Sequence, residues 1–340
     1  MTRKILLTGG AGYIGSHTYA ALCEAGYDVA ILDNFDNARP DVPDRLEVIT
    51  GKPVTVHRCD VLDPEALARV FASERFDGVV HFAARKAVGE SQRMPLEYIE
   101  TNCTGLINLL KAMRTADVFN IVFSSSATVY APTTNWPIPE GAALGYASTY
   151  AYTKLMGEQI IAQVAAADPR WHYGILRYFN PAGAHTSALL GEDPSDIPNN
   201  LMPYIAKVAT GELPALNVFG NDYPTPDGTG VRDYIHVMDL ARGHVLSLTE
   251  LIERGNSHTL NLGTGQGYSV LDMLHAYSRA CGRELPYVVA PRREGDLDCY
   301  YGDPTKAEAV LGFRAERGLD AMCADSWAWV SRKSNMRGQG

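Results

Sequence analysis

The stretch "KILLTGGAGYIGSH", Lys4 to His17, decides the fold. An apolar run ends at Thr8, and glycines follow at Gly9, Gly12 and Gly15, spaced G-x-x-G-x-x-G. A helical pattern then begins. The run reads as a strand, the glycines as a turn, and the sequel as a helix. One glycine lets the chain turn, one lets backbone approach a pyrophosphate, and one lets helix and strand pack closely. The helix N-terminus then faces the phosphates. A basic start before an apolar run also has the look of a short signal peptide, but the glycines cut the run too soon.

Context turns a tight turn into a dinucleotide site. A second apolar run, "DVAILD", ends at Asp33, 18 residues after Gly15 and near the spacing of about 20 for a ribose-binding acid. Its carboxylate would repel a 2′-phosphate, and Asn34 follows it where an arginine would be needed. NAD is therefore favoured over NADP. Asp60, ending "VTVHRCD", is placed to reach the adenine amino group.

Farther out, "GVVHFAA", "NIVFSS" and "YGILRYFN" read as further strands, with amphipathic "PEALARVFASE" and "TGLINLLKAMRTA" between. Asp63-Pro64 opens the first of these helices as N-cap and first helical residue. The alternation predicts an α/β fold: a doubly wound parallel (Rossmann) sheet. After about residue 180, proline and glycine become frequent and the regular beat is lost. The expected division is an NAD-binding domain over 1–180 and a smaller mixed α/β substrate domain over 181–340, with some chain crossing back. The tail "SNMRGQG" is expected to fray.

Bulk properties narrow the function. A net charge of −9 gives no general attraction to nucleic acid or anionic membrane. No apolar run approaches the roughly 18 residues of a membrane span. Six cysteines are scattered without a C-x-x-C pair, which argues for free thiols in a reducing, cytoplasmic setting and against a metal site.

Chemistry concentrates in "YAYTKLMGE", Tyr150 to Glu158. Tyrosine is a poor base at neutral pH, with an ordinary pKa of about 10, and a nearby ammonium favours its phenolate. Residues four apart share a helix face, whereas residues two apart do not. Lys154 therefore belongs with Tyr150 and not with Tyr152. "FSSSATVY" ends the fifth strand at the carboxyl edge, where open α/β sheets bind ligands. Alternation favours Ser126 over Ser124 and Ser125 as the hydroxyl that faces the cleft and helps relay a proton. A pyrophosphate substrate would want arginine forks, and Asn199-Asn200 before "LMPYIAK" could start a helix aimed at an anion.

With these residues in place, the chain resembles the extended short-chain dehydrogenases/reductases, and among them the UDP-glucose 4-epimerase (UDP-galactose 4-epimerase) family. The resemblance runs through "TGGAGYIGSH", "HFAARKAVGES", "FSSSATVY", "LRYFNPAGAH", "IPNNLMPYI", "GTGVRDYIHVMDLA" and "PRREGDL". It implies tightly held NAD, UDP-galactose and UDP-glucose as substrates, and a homodimer formed through the helices around "TGLINLLKAM" and after Tyr150. Implied with it is a cycle: Tyr150 removes the 4-hydroxyl proton, C4 is oxidised, the 4-keto sugar turns over, and the hydride returns to its other face.

By motif, the resemblance adds Tyr13 and Ile14 of the glycine loop to the cofactor set. Asn34, Asn37 and Val61 join it after the second and third strands, and Phe82, Ala83, Ala84 and Lys86 after the fourth. Ala84 stands where the family often has glycine. Either Thr101 or Asn102 adds a contact, since the family commonly has Asn where Thr101 stands. Ser124 and Tyr178 would flank the nicotinamide. On the substrate side Asn180, Asn200 and Leu201 would line the nucleotide sugar, and Asn217 and Phe219 would hold the uracil. Arg232, Tyr234, Arg293 and Asp296 would take the diphosphate and uridine ribose, and Tyr300 would border the hexose. Nucleotide-sugar 4,6-dehydratases carry an Asp-Glu pair after the fifth strand; here Ala127-Thr128 stands there. A silent NAD-binding sensor would have no need of Ser126, Tyr150 and Lys154 together.

Overall fold

Ile5, Leu6 and Leu7 are all fully buried, as befits a strand covered on both faces. Lys4–Thr8 (β1) pairs in parallel with Asp28–Asp33 (β2), which pairs with Thr55–Arg58 (β3). On its other side stand Gly78–His81 (β4), Asn120–Ser126 (β5), His172–Tyr178 (β6) and His258–Leu262 (β7). The seven-stranded order is β7-β6-β5-β4-β1-β2-β3, parallel throughout. The computed structural model describes residues 2–193, 200–293 and 295–337; Asn199, read above as a helix start, lies outside them.

Strand alternation sends neighbours to opposite faces. Ile5, Leu7, Ile31, Val80, Val122 and Leu176 pack into one core cluster with Leu240 and Leu248. Leu6, Ala30, Leu32, Val79, Ile121, Phe123 and Ile175 pack into the other with Leu106 and Leu109. This two-sided core is what makes the sheet doubly wound, as the sequence predicts. The cap at Asp63 also forms: its carboxylate accepts from the Glu65 and Ala66 amides at 3.0 and 2.9 Å.

Two features add to or differ from the sequence expectation. β7, "HTLNL", follows the helix Val237–Arg254 back to the main sheet, after the chain has already built other structure. This is chain crossing back to the first domain as expected, through a strand not singled out from the sequence. Of the tail expected to fray, 334–337 end the helix Leu319–Arg337, whose Met322 and Cys323 are buried, and 338–340 lie outside the described residues.

The remaining residues form a second layer. A three-stranded sheet holds Val231–Arg232 between Tyr268–Ser269 and Cys299–Tyr300. A parallel pair joins Leu216–Phe219 to Tyr287–Ala290. The helices Leu201–Thr210, Val270–Cys281 and Leu319–Arg337 surround a third cluster with Ile205, Met273, Tyr277 and Met322. Among the described residues no helix is long and apolar enough to cross a membrane.

Candidate active site

The glycine loop closes so tightly on its own backbone and on that of Ala83 that β-carbons at Gly9 and Gly15 would break it. Gly9 has φ +68°, and a β-carbon there would stand 2.7 Å from the Ala83 amide nitrogen. One at Gly15 would stand 2.3 Å from the Gly9 carbonyl oxygen. The loop therefore lies against the end of β4, at Phe82 and Ala83, with the helix Tyr13–Glu24 starting directly behind it. Asp33 braces it: one carboxylate oxygen accepts from the Ala11 amide at 3.0 Å and the other from Phe35 at 2.9 Å. Burial raises the Asp33 pKa, and these two hydrogen bonds oppose the rise. Each oxygen keeps a lone pair for a ribose hydroxyl.

The adjoining residues are ordered by their own contacts. Asn34 donates to Asp60 at 2.9 Å, which also accepts from the Leu62 amide at 2.8 Å. Val61 is buried, Ile14 packs on the core, and Asn37 lies in the loop after β2. The Tyr13 hydroxyl donates to the Gly183 carbonyl at 2.7 Å. Asn102, on a π-helical turn, accepts from the Arg85 amide at 2.8 Å. It donates to the Arg85 carbonyl at 3.0 Å and to Thr153 at 2.9 Å. It thus ties the loop of Ala84 and the exposed Lys86 to the helix of Tyr150, while Thr101 is only half-buried.

That helix, Thr149–Ala167, starts at Ser148, whose side chain accepts from the Ala151 amide at 3.1 Å. Tyr150 sits in its first turn and Lys154 one turn on. The ammonium lies 5.8 Å from the Tyr150 ring centroid and 5.2 Å from that of Phe123, and donates to the Ser124 carbonyl at 2.7 Å. Tyr152 instead packs its ring 4.9 Å from Tyr146. Burial lowers the Lys154 pKa to about 8. Burial also pushes Tyr150 up to about 12, with the Ser126 hydroxyl opposing. The expectation that Lys154 lowers Tyr150 is not met in the protein alone, because the ammonium lies under the ring and is spent on Ser124.

The three serines have separate duties. Ser124 hydrogen-bonds the Tyr178 hydroxyl. Ser125 donates to Glu158 at 2.5 Å. Ser126 accepts from the Thr128 amide and hydroxyl at 3.2 and 2.9 Å and faces Tyr150. Behind Tyr178 stands buried His244, its ring centroid 5.8 Å away and 4.8 Å from that of Phe82.

Sequence reasoning missed the layer beneath. Glu158, one turn past Lys154, takes a two-pronged ion pair from Arg177 at 2.9 and 2.5 Å, and both are buried. Arg177 also donates to the Tyr130 hydroxyl and the Glu140 carbonyl, each at 3.2 Å. Tyr130 donates to Asn261 on β7 at 2.7 Å. The available signal was an arginine inside the apolar run "YGILRYFN", which demands a partner.

On the substrate side, Arg232 and Tyr300 are register partners and so share a face of the small sheet. The Tyr300 hydroxyl donates to the Ala127 carbonyl at 2.6 Å, next to Ser126, and its ring stands 5.6 Å from that of Phe179. Burial pushes Tyr234 up to about 12, with Arg232 and Arg293 opposing. Arg293 lies 4.7 Å over the Phe219 ring and pairs with Asp296 at 2.9 Å. Asn217 and Phe219 are exposed on one face while Leu216 and Val218 are buried on the other. Asn180 donates to the Asp233 carbonyl at 3.0 Å. Asn200 opens the helix Leu201–Thr210 without capping it and donates instead to Glu192 at 2.9 Å. The Asn200 side chain leaves the first amides of that helix uncapped, an arrangement compatible with an anion. Among the described residues no three His, Cys, Asp or Glu side chains are grouped to hold a metal.

Residues 5–263 match the NAD dependent epimerase/dehydratase family. UDP-glucose 4-epimerase of Bacillus subtilis is 53% identical over 97% of this chain and 98% of its own. The human UDP-glucose 4-epimerase is 50% identical over 100% and 99%. The Stenotrophomonas maltophila UDP-glucose-4-epimerase, solved with NAD and formylated UDP-arabinopyranose, superposes with a TM-score of 0.96 at 47% identity, covering 98% of this chain and 99% of that one. The Bifidobacterium longum enzyme, solved with NAD+ and UDP, gives 0.92 at 49% identity with the same coverage. A glycine cradle, an acid-ended second strand and a Tyr-Lys helix at the carboxyl edge of the sheet agree with that kinship: the chain belongs to the NAD dependent epimerase/dehydratase family.

Proposed function

We propose that the chain interconverts UDP-galactose and UDP-glucose by inverting C4, with NAD as cofactor. The observation that carries this is the convergence of Tyr150, Ser126 and Lys154 at the sheet edge, beside the Tyr300 wall. The cofactor fits against a loop whose tight turn only glycine at Gly9 and Gly15 permits and which Asp33 braces. When bound, it supplies the hydride acceptor and donor for C4 and a positive charge that favours the Tyr150 phenolate.

The protein's own work is on the proton and the pose. The Tyr150 hydroxyl oxygen takes the 4-hydroxyl proton and returns it, and Ser126 relays it. Lys154 holds the ring from below and contributes positive charge. Gly9, Gly12, Gly15, Asp33, Asp60 and Lys86 bind the cofactor, with Ser124 and Tyr178 beside the nicotinamide. Arg232, Arg293 and the open end of the helix at Asn200 and Leu201 hold the diphosphate, while Asn217 and Phe219 hold the uracil. Tight binding of the nucleotide with a loose hexose suits a sugar that must turn over without escaping.

Residues 1–180 form the NAD-binding domain and 181–340 the UDP-sugar domain, with 237–262 crossing back. Two such chains form a homodimer. Leu96 and Tyr146 are 76% and 58% exposed near the two helices proposed to pair, and light scattering showing a monomer at micromolar concentration would remove this assignment. Six free thiols suit a reducing compartment and support a cytoplasmic location. The decisive experiment is to incubate the purified protein with UDP-galactose, without added NAD, and look for UDP-glucose. No product even after NAD is added would overturn the function.

A further inference from the structure

Arg232 and Tyr234 flank an aspartate that faces away from the cleft. Asp233 is fully buried. One of its carboxylate oxygens accepts from the Thr264 amide at 3.0 Å and the Thr264 hydroxyl at 2.8 Å. The other accepts from the Gly265 and Gly302 amides, each at 3.4 Å. Among the described residues no cation pairs with it, so neutral dipoles alone offset its burial. Its backbone is engaged as well: the amide donates to the Tyr300 carbonyl at 3.1 Å, and the carbonyl accepts from the Asn180 amide and side chain at 3.1 and 3.0 Å. The packing admits no substitute nearby, since a β-carbon on Gly263 would stand 2.4 Å from the carboxylate.

These contacts join four stretches of chain: the short strand Asn180–Ala182 that follows β6, the strand of Arg232, the turn 263–265 and the segment Tyr300–Gly302. Three of them carry candidate substrate residues. We propose that Asp233 is a positioning residue of the substrate pocket, fixing Asn180, Arg232 and Tyr300 relative to one another through its buried carboxylate and its own backbone. This rests on the UDP-sugar reading of the site. Asp233 touches neither sugar nor cofactor. Its loss acts through the pose of the others, so binding and sugar selection suffer before chemistry does.

The test is Asp233→Asn, which keeps shape but turns an amide toward N–H groups that need an acceptor. The expected result is a KM for UDP-galactose raised about tenfold, a kcat within about threefold of wild type, and unchanged bound NAD. Discrimination against UDP-N-acetylgalactosamine should fall with it, because the Tyr300 segment has lost an anchor. Thr264→Val, which removes one hydroxyl donor at the same carboxylate, should shift KM in the same direction by about two- to fivefold, and it decides the matter if Asp233→Asn fails to fold. Unchanged KM and sugar preference in the variant that folds would overturn the proposal, and so would a fall in kcat and bound NAD at constant KM. Equilibrium titration with UDP alone separates this inference from the function itself. Wild type that binds UDP but does not convert UDP-galactose defeats the function, and weaker UDP binding by the variant still supports the role of Asp233.

Discussion

Lys154→Met should reveal a lysine that the active site keeps at a cost to the fold. The ammonium is buried, and its pKa falls from the ordinary 10.5 to about 8. That gap corresponds to about 3 kcal/mol. Below pH 8 the group is charged in both folded and unfolded chains, and stability does not vary with pH through it. Between 8 and 10.5 the unfolded chain holds a proton that the folded one has released, so stability rises with pH. The contribution is complete above 10.5 and is lost as pH falls through 8. Wild type should therefore gain about 2 kcal/mol over Lys154→Met between pH 7 and pH 9.5. For a chain of this size that is a difference of about 3 °C in Tm. Urea unfolding of both proteins at a fixed excess of NAD measures it, and the subtraction cancels the other titrating groups. Activity should run the other way, falling above pH 8 as the ammonium discharges. A stability difference that stays flat across this range would refute the account of Lys154 as a buried cation.

Tyr150→Phe should abolish turnover while UDP binding persists, and activity within tenfold of wild type would return attention to Tyr152. Tyr300→Cys should admit UDP-N-acetylgalactosamine, which wild type should disfavour by roughly tenfold to a hundredfold; equal kcat/KM for both sugar pairs in the wild type would remove Tyr300 as the gate. Glu158→Gln should cost about 3–5 kcal/mol by stranding the Arg177 charge. Glu158→Leu with Arg177→Met should cost less than that single change, and a double variant worse than the single one in urea unfolding would contradict this.

What the sequence disclosed was local. The glycine loop, Asp33 and the Tyr150–Lys154 pair lie within short windows whose spacing carries the geometry, and the structure assembles them as the spacing predicts. Alternation separates Ser126 from Ser125 but not from Ser124, which shares its face and hydrogen-bonds Tyr178. What stayed hidden was everything paired at long range. Arg177 inside an apolar run calls for a partner, but Glu158 lies 19 residues away and alone looks like an ordinary charge on a helix. Asp233 meets Thr264 and Gly302 only through the fold. The depression expected of Tyr150 failed because spacing places Lys154 on the right face without saying where its ammonium points. Some chain is expected to cross back, but the sequence does not single out β7, because its partner β6 precedes it by some 80 residues and no local pattern records such a partnership.

That late return of β7 sets an order on biosynthesis. A ribosome that has released β6 leaves its outer edge, His172–Tyr178, without a partner strand until His258–Leu262 emerges. At about 5–20 residues per second the wait is on the order of 4–16 s. Over the same interval β4, β5 and β6 lack the helix Val237–Arg254, whose Leu248 meets Gly78 and whose His244 backs Phe82 and Tyr178. The nascent chain thus has its glycine loop early but the packing behind Phe82 and Tyr178 late. An exposed parallel edge is the aggregation hazard of the half-made protein.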